Sequence, residues 1–126
     1  MDRVVEDHFE LFNAAFTGQL NRFKRLALDH ARDEGIGVTE AIANLRDNGK
    51  GLLHYAAEGG RLEVCRYLIE TLKLDVDSKS KNGSTPLYWA TAKKDADTVR
   101  YLLEKGANAD ASDDKNYTPL HCAAKT

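Results

Sequence analysis

The sequence predicts an all-α protein built as a stack of helix-turn-helix units, and three observations support that prediction. GSTPLYWAT at residues 83–91 and NYTPLHCAA at residues 116–124 are nearly the same phrase, 33 residues apart. GLLHYAA at residues 51–57 fits the same frame at an offset of 34. Apolar residues follow each phrase at spacings of three and four, which place them on one face of a helix. Because one helix pair cannot bury its own apolar face, this period predicts a stack.

The first helix of each unit begins inside the repeated phrase. Thr85 and Thr118 stand where the side-chain oxygen of a helix N-cap is favoured. Pro86 and Pro119 follow at the first helical position, where a missing backbone N–H costs nothing. Gly51 takes the cap position in the preceding unit. We therefore predict that both threonine side chains cap their helices.

A tight turn separates the two helices of each unit. Gly18 and Gly60 fall where the first helix must stop, a position that favours a positive φ. Lys94 holds this position in the third unit, so we expect a strained or altered turn there. The second helices then carry apolar residues on one face, namely Leu20, Phe23 and Leu26; Leu62, Cys65, Leu68 and Ile69; and Ala96, Val99, Leu102 and Leu103.

The chain is predicted to form one domain, residues 1–126. Leu11-Phe12-Asn13-Ala14-Ala15 is a fainter copy of the phrase, and its offset of 42 implies an insertion after the first unit. This insertion contains a predicted short helix near Thr39, with Ile42 and Leu45 on its apolar edge. It either folds that edge over the first units or forms a recognition loop. The predicted segments are an irregular unit at about 9–28, the insertion at about 29–46, units at about 47–79 and 80–112, and a truncated unit at about 113–126.

Composition excludes several classes of protein. A length of 126 residues allows one domain. With a net charge of −2, the chain lacks the positive field that nucleic-acid binding requires. No apolar run approaches the roughly 18 residues of a membrane span, and MDRVVEDHFE has no signal-peptide core. Two cysteines, Cys65 and Cys122, are too few for a disulfide framework. We expect a reducing compartment, the cytoplasm or also the nucleus, and no cofactor.

The repeated phrases identify a resemblance. TPLHCAA, LLHYAA, TPLYWA and YLLEKGANADA resemble ankyrin repeats, over nearly all of residues 9–126. The resemblance implies an ankyrin-repeat solenoid in which the turns near residues 47–50, 81–84 and 114–117 protrude as hairpin fingers. It also implies structural roles for several residues. His54 and His121 would tie neighbouring loops together. Positive-φ finger positions fall at Gly49, Gly83 and Asn116.

A narrower resemblance concerns the middle of the chain. CRYLIETLKLDVDSKSKNGSTPL, together with the irregular first unit, is similar to the start of plant ankyrin–tetratricopeptide proteins. In that family a tetratricopeptide domain holds chaperone tails. That domain is absent from this sequence, so no chaperone-binding residue can be carried over. The sequence stops inside the first helix of a fourth unit, and we expect it to be part of a longer array.

One face of the first helices is a candidate binding surface. Tyr55, Trp89 and Cys122 occupy equivalent positions, and the first two would stand side by side between the fingers. Aromatic anchors rimmed by charge are typical of protein-binding hot spots. Alternatively, both rings merely pack between adjacent helices. The remaining candidate contact residues are Asp47, Asn48, Lys50, Lys81, Asn82, Ser84, Lys115 and Tyr117 on the fingers, with Glu58 and Lys93 on the helices.

Two functions follow, and neither is enzymatic. The first is a non-catalytic module that binds an unknown protein partner through the fingers and the inner face of the first helices. The second is a structural end piece of a longer array in a chaperone-linked scaffold, which caps the stack or forms a dimer through an open apolar end. Cys65 lies at an apolar helix position and is expected to be a core thiol. His121 and Cys122 are adjacent on a helix and point apart, so they do not form a nucleophile–base pair. No His or Cys spacing resembles a zinc site.

Overall fold

The computed structural model describes the backbone of residues 3–124 and the side chains of residues 8–121. The predicted all-α architecture is confirmed, because the described residues form helices joined by turns and contain no strand. None of the helices within this range is both long and apolar enough to cross a membrane. In chain order the helices are α1 Arg3–Thr17, α2 Leu20–Glu34, α3 Val38–Ala43, α4 Leu52–Glu58, α5 Leu62–Arg66, α6 Pro86–Lys93, α7 Ala96–Glu104 and α8 Pro119–Ala124; a π-helical turn, Tyr67–Thr71, continues α5.

The helices form two layers. In the first layer α1, α4, α6 and α8 lie side by side in that order. The helices α2, α5 and α7 each pack against the first-layer helix that precedes them, and α5 also contacts α7. Small side chains line the first-layer contacts, which lets the helix backbones approach closely. They are the fully buried alanines Ala14, Ala15, Ala56, Ala57 and Ala90.

The turns between paired helices use a left-handed residue. Gly18 and Gly60 have φ values of 80° and 68°. Lys94 adopts the same conformation with φ 66° and ψ 32°, so the third unit keeps the turn without a glycine. A left-handed conformation costs a residue with a Cβ roughly 1–2 kcal/mol, and this turn stores that strain.

The two threonine caps behave differently. The Thr118 hydroxyl accepts a hydrogen bond from the His121 backbone N–H at 3.3 Å, as predicted for a cap. The prediction is wrong for Thr85, whose hydroxyl is buried and has no hydrogen-bond partner in the described part of the chain. The Tyr88 amide that it would accept from is bonded instead to the Thr85 carbonyl at 3.1 Å. Pro86 and Pro119 do open α6 and α8.

The predicted apolar face of α7 is rotated in the structure. Thr98, Tyr101 and Leu102 are buried, whereas Ala96 is exposed and Leu103 is 44% exposed. Thr98 and Tyr101 tolerate burial because their hydroxyls donate to Asp95 Oδ2 at 2.9 Å and to Glu70 Oε2 at 2.6 Å. A prediction of the buried face from apolar residues alone misses buried hydroxyl groups that are hydrogen-bonded.

The segment predicted as an insertion, residues 29–46, begins with the end of α2, and its short helix α3 covers the first two units. Helix α2 runs through residue 29 to Glu34, because the buried positions Ala27, His30 and Ala31 keep a helical spacing. Helix α3 packs against α2 and buries Ile42, which is 1% exposed. The Thr39 hydroxyl donates to the Leu72 carbonyl at 2.8 Å. These contacts favour the covering role over a free recognition loop.

A close approach of two backbones fixes the distance between α1 and α4. A Cβ on Gly59 would lie 2.2 Å from the carbonyl oxygen of Phe16, so Gly59→Ala must push the helices apart. We expect this change to lower the free energy of unfolding by about 2 kcal/mol or more, measured by urea denaturation. Gly37→Ala is the control, because nothing lies within 4 Å of its Cβ position. Equal effects of the two changes would contradict the close approach.

Candidate protein-interaction surface

Three hairpin turns precede the first-layer helices α4, α6 and α8: finger 1 (residues 47–50), finger 2 (residues 80–84) and finger 3 (residues 113–117). In finger 1, Asn48 and Gly49 have φ values of 52° and 79°. Asp47 and Lys50 exchange two backbone hydrogen bonds of 2.9 and 3.0 Å around them. Two successive positive φ values are the requirement of a type I′ turn, which the Asn-Gly pair satisfies.

Fingers 2 and 3 share one design. In finger 2 the Ser80 amide donates to the Ser84 carbonyl at 2.9 Å, and Gly83 has a φ of 83°. In finger 3 the Asp113 amide donates to the Tyr117 carbonyl at 2.8 Å. Asn116 takes the positive-φ position there, with φ 66°.

Backbone hydrogen bonds join the three fingers side by side. The Lys81 amide donates to the Gly49 carbonyl at 2.7 Å, and the Asp114 amide donates to the Asn82 carbonyl at 2.9 Å. A Cβ on Gly49 would lie 2.5 Å from Cβ of Lys81, so fingers 1 and 2 meet closely. The fingers therefore form one continuous ribbon.

His54 connects α4 to finger 2. Its Nδ1 accepts from the Gly51 amide at 3.1 Å, and its Nε2–H donates to the Ser84 carbonyl at 3.0 Å. This pair of bonds requires the neutral ring. Burial lowers the pKa of His54 to about 4, and the Ser84 bond opposes that shift only in part. His121 makes the equivalent bond to the Thr118 amide at 3.0 Å.

Lys50 lies between the two aromatic candidates. Its Nζ is 4.5 Å from the ring centroid of Tyr55 and 4.0 Å from that of Trp89. An ammonium over an aromatic face gains electrostatic attraction from the ring quadrupole. The same ammonium forms an ion pair with Glu58. The Lys50 ammonium thus lies between Tyr55 and Trp89 and contacts both rings.

Each ring is also fixed by a hydrogen bond. The Tyr55 hydroxyl donates to Asp47 Oδ2 at 2.7 Å, and its ring packs edge-on against Phe12 with centroids 5.2 Å apart. Burial and then this bond raise the pKa of Tyr55 to about 12. The Trp89 indole N–H donates to the Ser84 hydroxyl at 2.9 Å. Both rings are half-buried, so they serve packing and still present part of their surface.

A third aromatic residue, Phe16, extends this row and was missed in the sequence. It is 40% exposed, and its ring centroid lies 6.4 Å from that of Tyr55. When Leu11–Ala15 is aligned with residues 53–57, Phe16 occupies the position equivalent to Glu58, a residue assigned to the binding face. That alignment could have identified Phe16 as a candidate. Phe16, Tyr55 and Trp89 are called the aromatic row below.

Ser84 was predicted to contact a partner, and the structure contradicts this. It is buried, and its hydroxyl contacts Trp89 and the Ser80 hydroxyl, so it cannot meet a partner. In finger 2 this side chain points inward, and its hydroxyl accepts the Trp89 indole N–H at 2.9 Å. The candidates Asn48, Lys81, Asn82, Lys93, Lys115 and Tyr117 are exposed, whereas Asp47, Lys50 and Glu58 are half-buried.

The exposed candidates fall into separate places. A concavity of about 510 Å³ between the fingers and α6 is lined by Asn48, Lys50, Lys81, Asn82, Trp89 and Asp114. Asp114 was not predicted. Lys93 lies at the other end of α6, beside Gly60. Tyr117 packs edge-on against His121 in the last unit, with centroids 5.8 Å apart.

Cys65, the cysteine whose side chain is described, is not placed to act as a nucleophile. Cys65 is fully buried, and burial raises the pKa of its thiol to about 12. The side chain of Cys122 lies outside the described residues. Within the described range, no group of three or more His, Cys, Asp or Glu residues could hold a metal ion.

Comparison with known proteins identifies the same kind of repeat. A family model of ankyrin repeats in three copies matches residues 11–113 and 71–126. Ankyrin repeat domain-containing protein 53 of Mus musculus is 31% identical, covering 97% of this chain and 23% of the relative. The Homo sapiens protein of that name is 39% identical over 63% of this chain and 16% of the relative. Alpha-latrocrustotoxin-Lt1a of Latrodectus tredecimguttatus is 34% identical over 68% of this chain and 6% of the relative. The chain thus spans less than a quarter of each of these relatives.

The buried His54 makes stability depend on pH. The pKa of His54 is the ordinary 6.5 in the unfolded chain and about 4 in the folded chain. The stability that the neutral ring contributes is therefore fully present above pH 6.5 and is lost as the pH falls toward 4. Between about pH 7 and about pH 5 the wild type should lose about 2 kcal/mol of unfolding free energy more than His54→Gln. Urea denaturation at both pH values measures this. Parallel losses in the two proteins would show that His54 is not held neutral.

Proposed function

The chain belongs to the ankyrin repeat family, whose repeats indicate a protein–protein interaction module, and on that premise we propose that it binds a protein segment across its fingers and aromatic row. The family is generally non-catalytic. The partner would lie in the concavity between the fingers and α6, with Trp89 and Tyr55 as anchors and Asn48, Lys81 and Asn82 at the rim.

The observation that supports this proposal most is the fixed position of Trp89. Lys50 lies over its ring, Ser84 accepts its N–H, and it still lines the 510 Å³ concavity. An aromatic side chain that is already immobilised loses little conformational entropy when a partner covers it. The fingers that border it are joined by backbone hydrogen bonds, so the whole surface is organised before binding.

A second candidate function rests on an apolar surface at the C-terminal end of the stack, formed by α6, α7 and α8. Leu103 is 44% exposed and Leu120 is 76% exposed, and with Leu87, Val99 and Pro119 they line an apolar concavity of about 340 Å³. Such a surface supports self-association or contact with further units of a longer array. The predicted dimer and the predicted plant ankyrin–tetratricopeptide origin both belong to this alternative.

The Trp89→Ala variant tests the first proposal. A random peptide library displayed on phage would be selected on the wild type, and the affinity of retained peptides would be measured against the variant. We expect at least a tenfold loss, which corresponds to about 1.4 kcal/mol, because the anchor is removed. Arg100→Ala is the control, since Arg100 is exposed on α7 and, among the described residues, forms its ion pair with Asp97.

The stability of the same variants separates binding from packing. Urea denaturation and circular dichroism would establish that Trp89→Ala remains folded. Peptides that bind Trp89→Ala and the wild type equally, while the variant is less stable, would mean that the ring serves packing alone. That outcome would favour the structural end piece.

A further inference from the structure

The dipeptide Asn-Gly occurs in two of the fingers, at residues 48–49 in finger 1 and at residues 82–83 in finger 2. This pair is chemically labile, because the backbone nitrogen of the glycine can attack Cγ of the asparagine and no side chain on the glycine hinders the approach. The reaction needs an unengaged backbone N–H, an unrestrained carboxamide and access to water. Both asparagines are exposed, so the two fingers can differ only in the first two requirements.

In finger 1 neither reacting group is engaged. The Gly49 amide donates to no residue in the described part of the chain, because the two backbone hydrogen bonds of the turn join Asp47 and Lys50 instead. Beyond a loose contact with the Tyr55 hydroxyl, the Asn48 carboxamide is held by no described residue. The nucleophile and the carbon that it attacks are therefore adjacent and unrestrained.

In finger 2 both reacting groups are held. The Gly83 amide donates to the Ser80 carbonyl at 2.9 Å. The Ser80 hydroxyl donates to Asn82 Oδ1, and the Asn82 backbone carbonyl accepts the Asp114 amide at 2.9 Å. Attack on the Asn82 side chain therefore requires local opening of the finger, which costs these hydrogen bonds.

We infer that Asn48 is a site of spontaneous deamidation, at which water converts the asparagine to aspartate and isoaspartate while Asn82 stays intact. The Gly49 nitrogen loses its proton to solvent and bonds to Cγ of Asn48; the Cγ–Nδ2 bond then breaks, and Nδ2 takes up protons and leaves as ammonia. The resulting succinimide ring adds a water. Cleavage between the nitrogen and Cγ gives aspartate, and cleavage between the nitrogen and the main-chain carbonyl carbon gives isoaspartate. The net reaction consumes water and releases ammonia, with no oxidation or reduction.

The modification changes the proposed binding surface. Asn48 lines the concavity of about 510 Å³ together with Lys50, Lys81 and Trp89, so each modified molecule gains a carboxylate there. Isoaspartate also adds a methylene to the main chain, inside a turn whose Gly49 carbonyl accepts the Lys81 amide at 2.7 Å. This effect on binding rests on the proposed function, whereas the modification itself does not.

Mass-spectrometric peptide mapping tests the site. The folded protein would be incubated in ¹⁸O-labelled water at mildly alkaline pH and digested in ordinary water after increasing times, so that solvent oxygen marks conversion that precedes digestion. Conversion at residue 48 should be at least about tenfold faster than at residue 82, because only finger 2 must open first. Asn48→Gln should remove the conversion in finger 1 on this time scale, since its longer side chain must close a larger ring.

The unfolded chain and one variant provide matched controls. In concentrated urea the rates at residues 48 and 82 should agree within about threefold, because glycine follows both asparagines and neither finger persists. Ser80→Ala removes the hydroxyl that bonds to Asn82, and it should raise the rate at residue 82 at least about threefold in the folded protein. Circular dichroism would establish that this variant is folded.

Several results would overturn the inference. They are equal rates at residues 48 and 82 in the folded protein, a faster rate at residue 82, and an intact residue 48 in the folded protein when urea allows its conversion. A tenfold difference that persists in urea would also contradict it, because the fold would not be its cause. An unchanged rate at residue 82 in folded Ser80→Ala would contradict the proposed protection of finger 2.

Failure of this inference differs from failure of the proposed function. The deamidated protein would be separated by ion exchange, and its affinity for the peptides selected from the random library would be measured. Conversion at residue 48 with peptides that do not depend on Trp89 would support the modification and contradict the proposed function. Peptides that depend on Trp89, with residue 48 intact in the folded protein, would do the reverse.

Discussion

The neutral ring of His54 is the interaction on which the binding surface depends. It accepts from Gly51 at the start of α4 and donates to the Ser84 carbonyl in finger 2. The hydroxyl of the same Ser84 accepts the Trp89 indole N–H, and Trp89 in turn faces Lys50. One buried side chain therefore sets the position of a finger, and that finger sets the position of the exposed aromatic ring.

Two kinds of contact then complete the structure around this link. The helices approach closely where side chains are smallest, as at Gly59 against the Phe16 carbonyl. The fingers are joined by backbone bonds that do not depend on side-chain identity, such as Lys81 to Gly49. Exposed finger side chains can therefore vary without loss of the ribbon. In this chain they include Lys81 and Lys115.

Much of the fold could be predicted from the sequence because its signals are local. Repeated phrases, proline at the first helical position and the left-handed turns each depend on neighbouring residues, and Lys94 shows that position outweighs residue type. The site was less predictable because its contacts join distant residues. Nothing near Ser84 in the sequence shows that it faces inward beneath an indole five residues later. The burial of Tyr101 likewise depends on Glu70, 31 residues away.

The exchange rate of the Trp89 indole proton tests most directly whether His54 fixes the binding surface. The chain contains one tryptophan, so the indole N–H gives a single signal in a ¹H–¹⁵N spectrum. The account predicts slow exchange with solvent in the wild type, because Ser84 accepts this proton, and at least about tenfold faster exchange in His54→Ala, corresponding to about 1.4 kcal/mol. Equal exchange rates in the two folded proteins would contradict the account, since Trp89 would then be held without the link through His54.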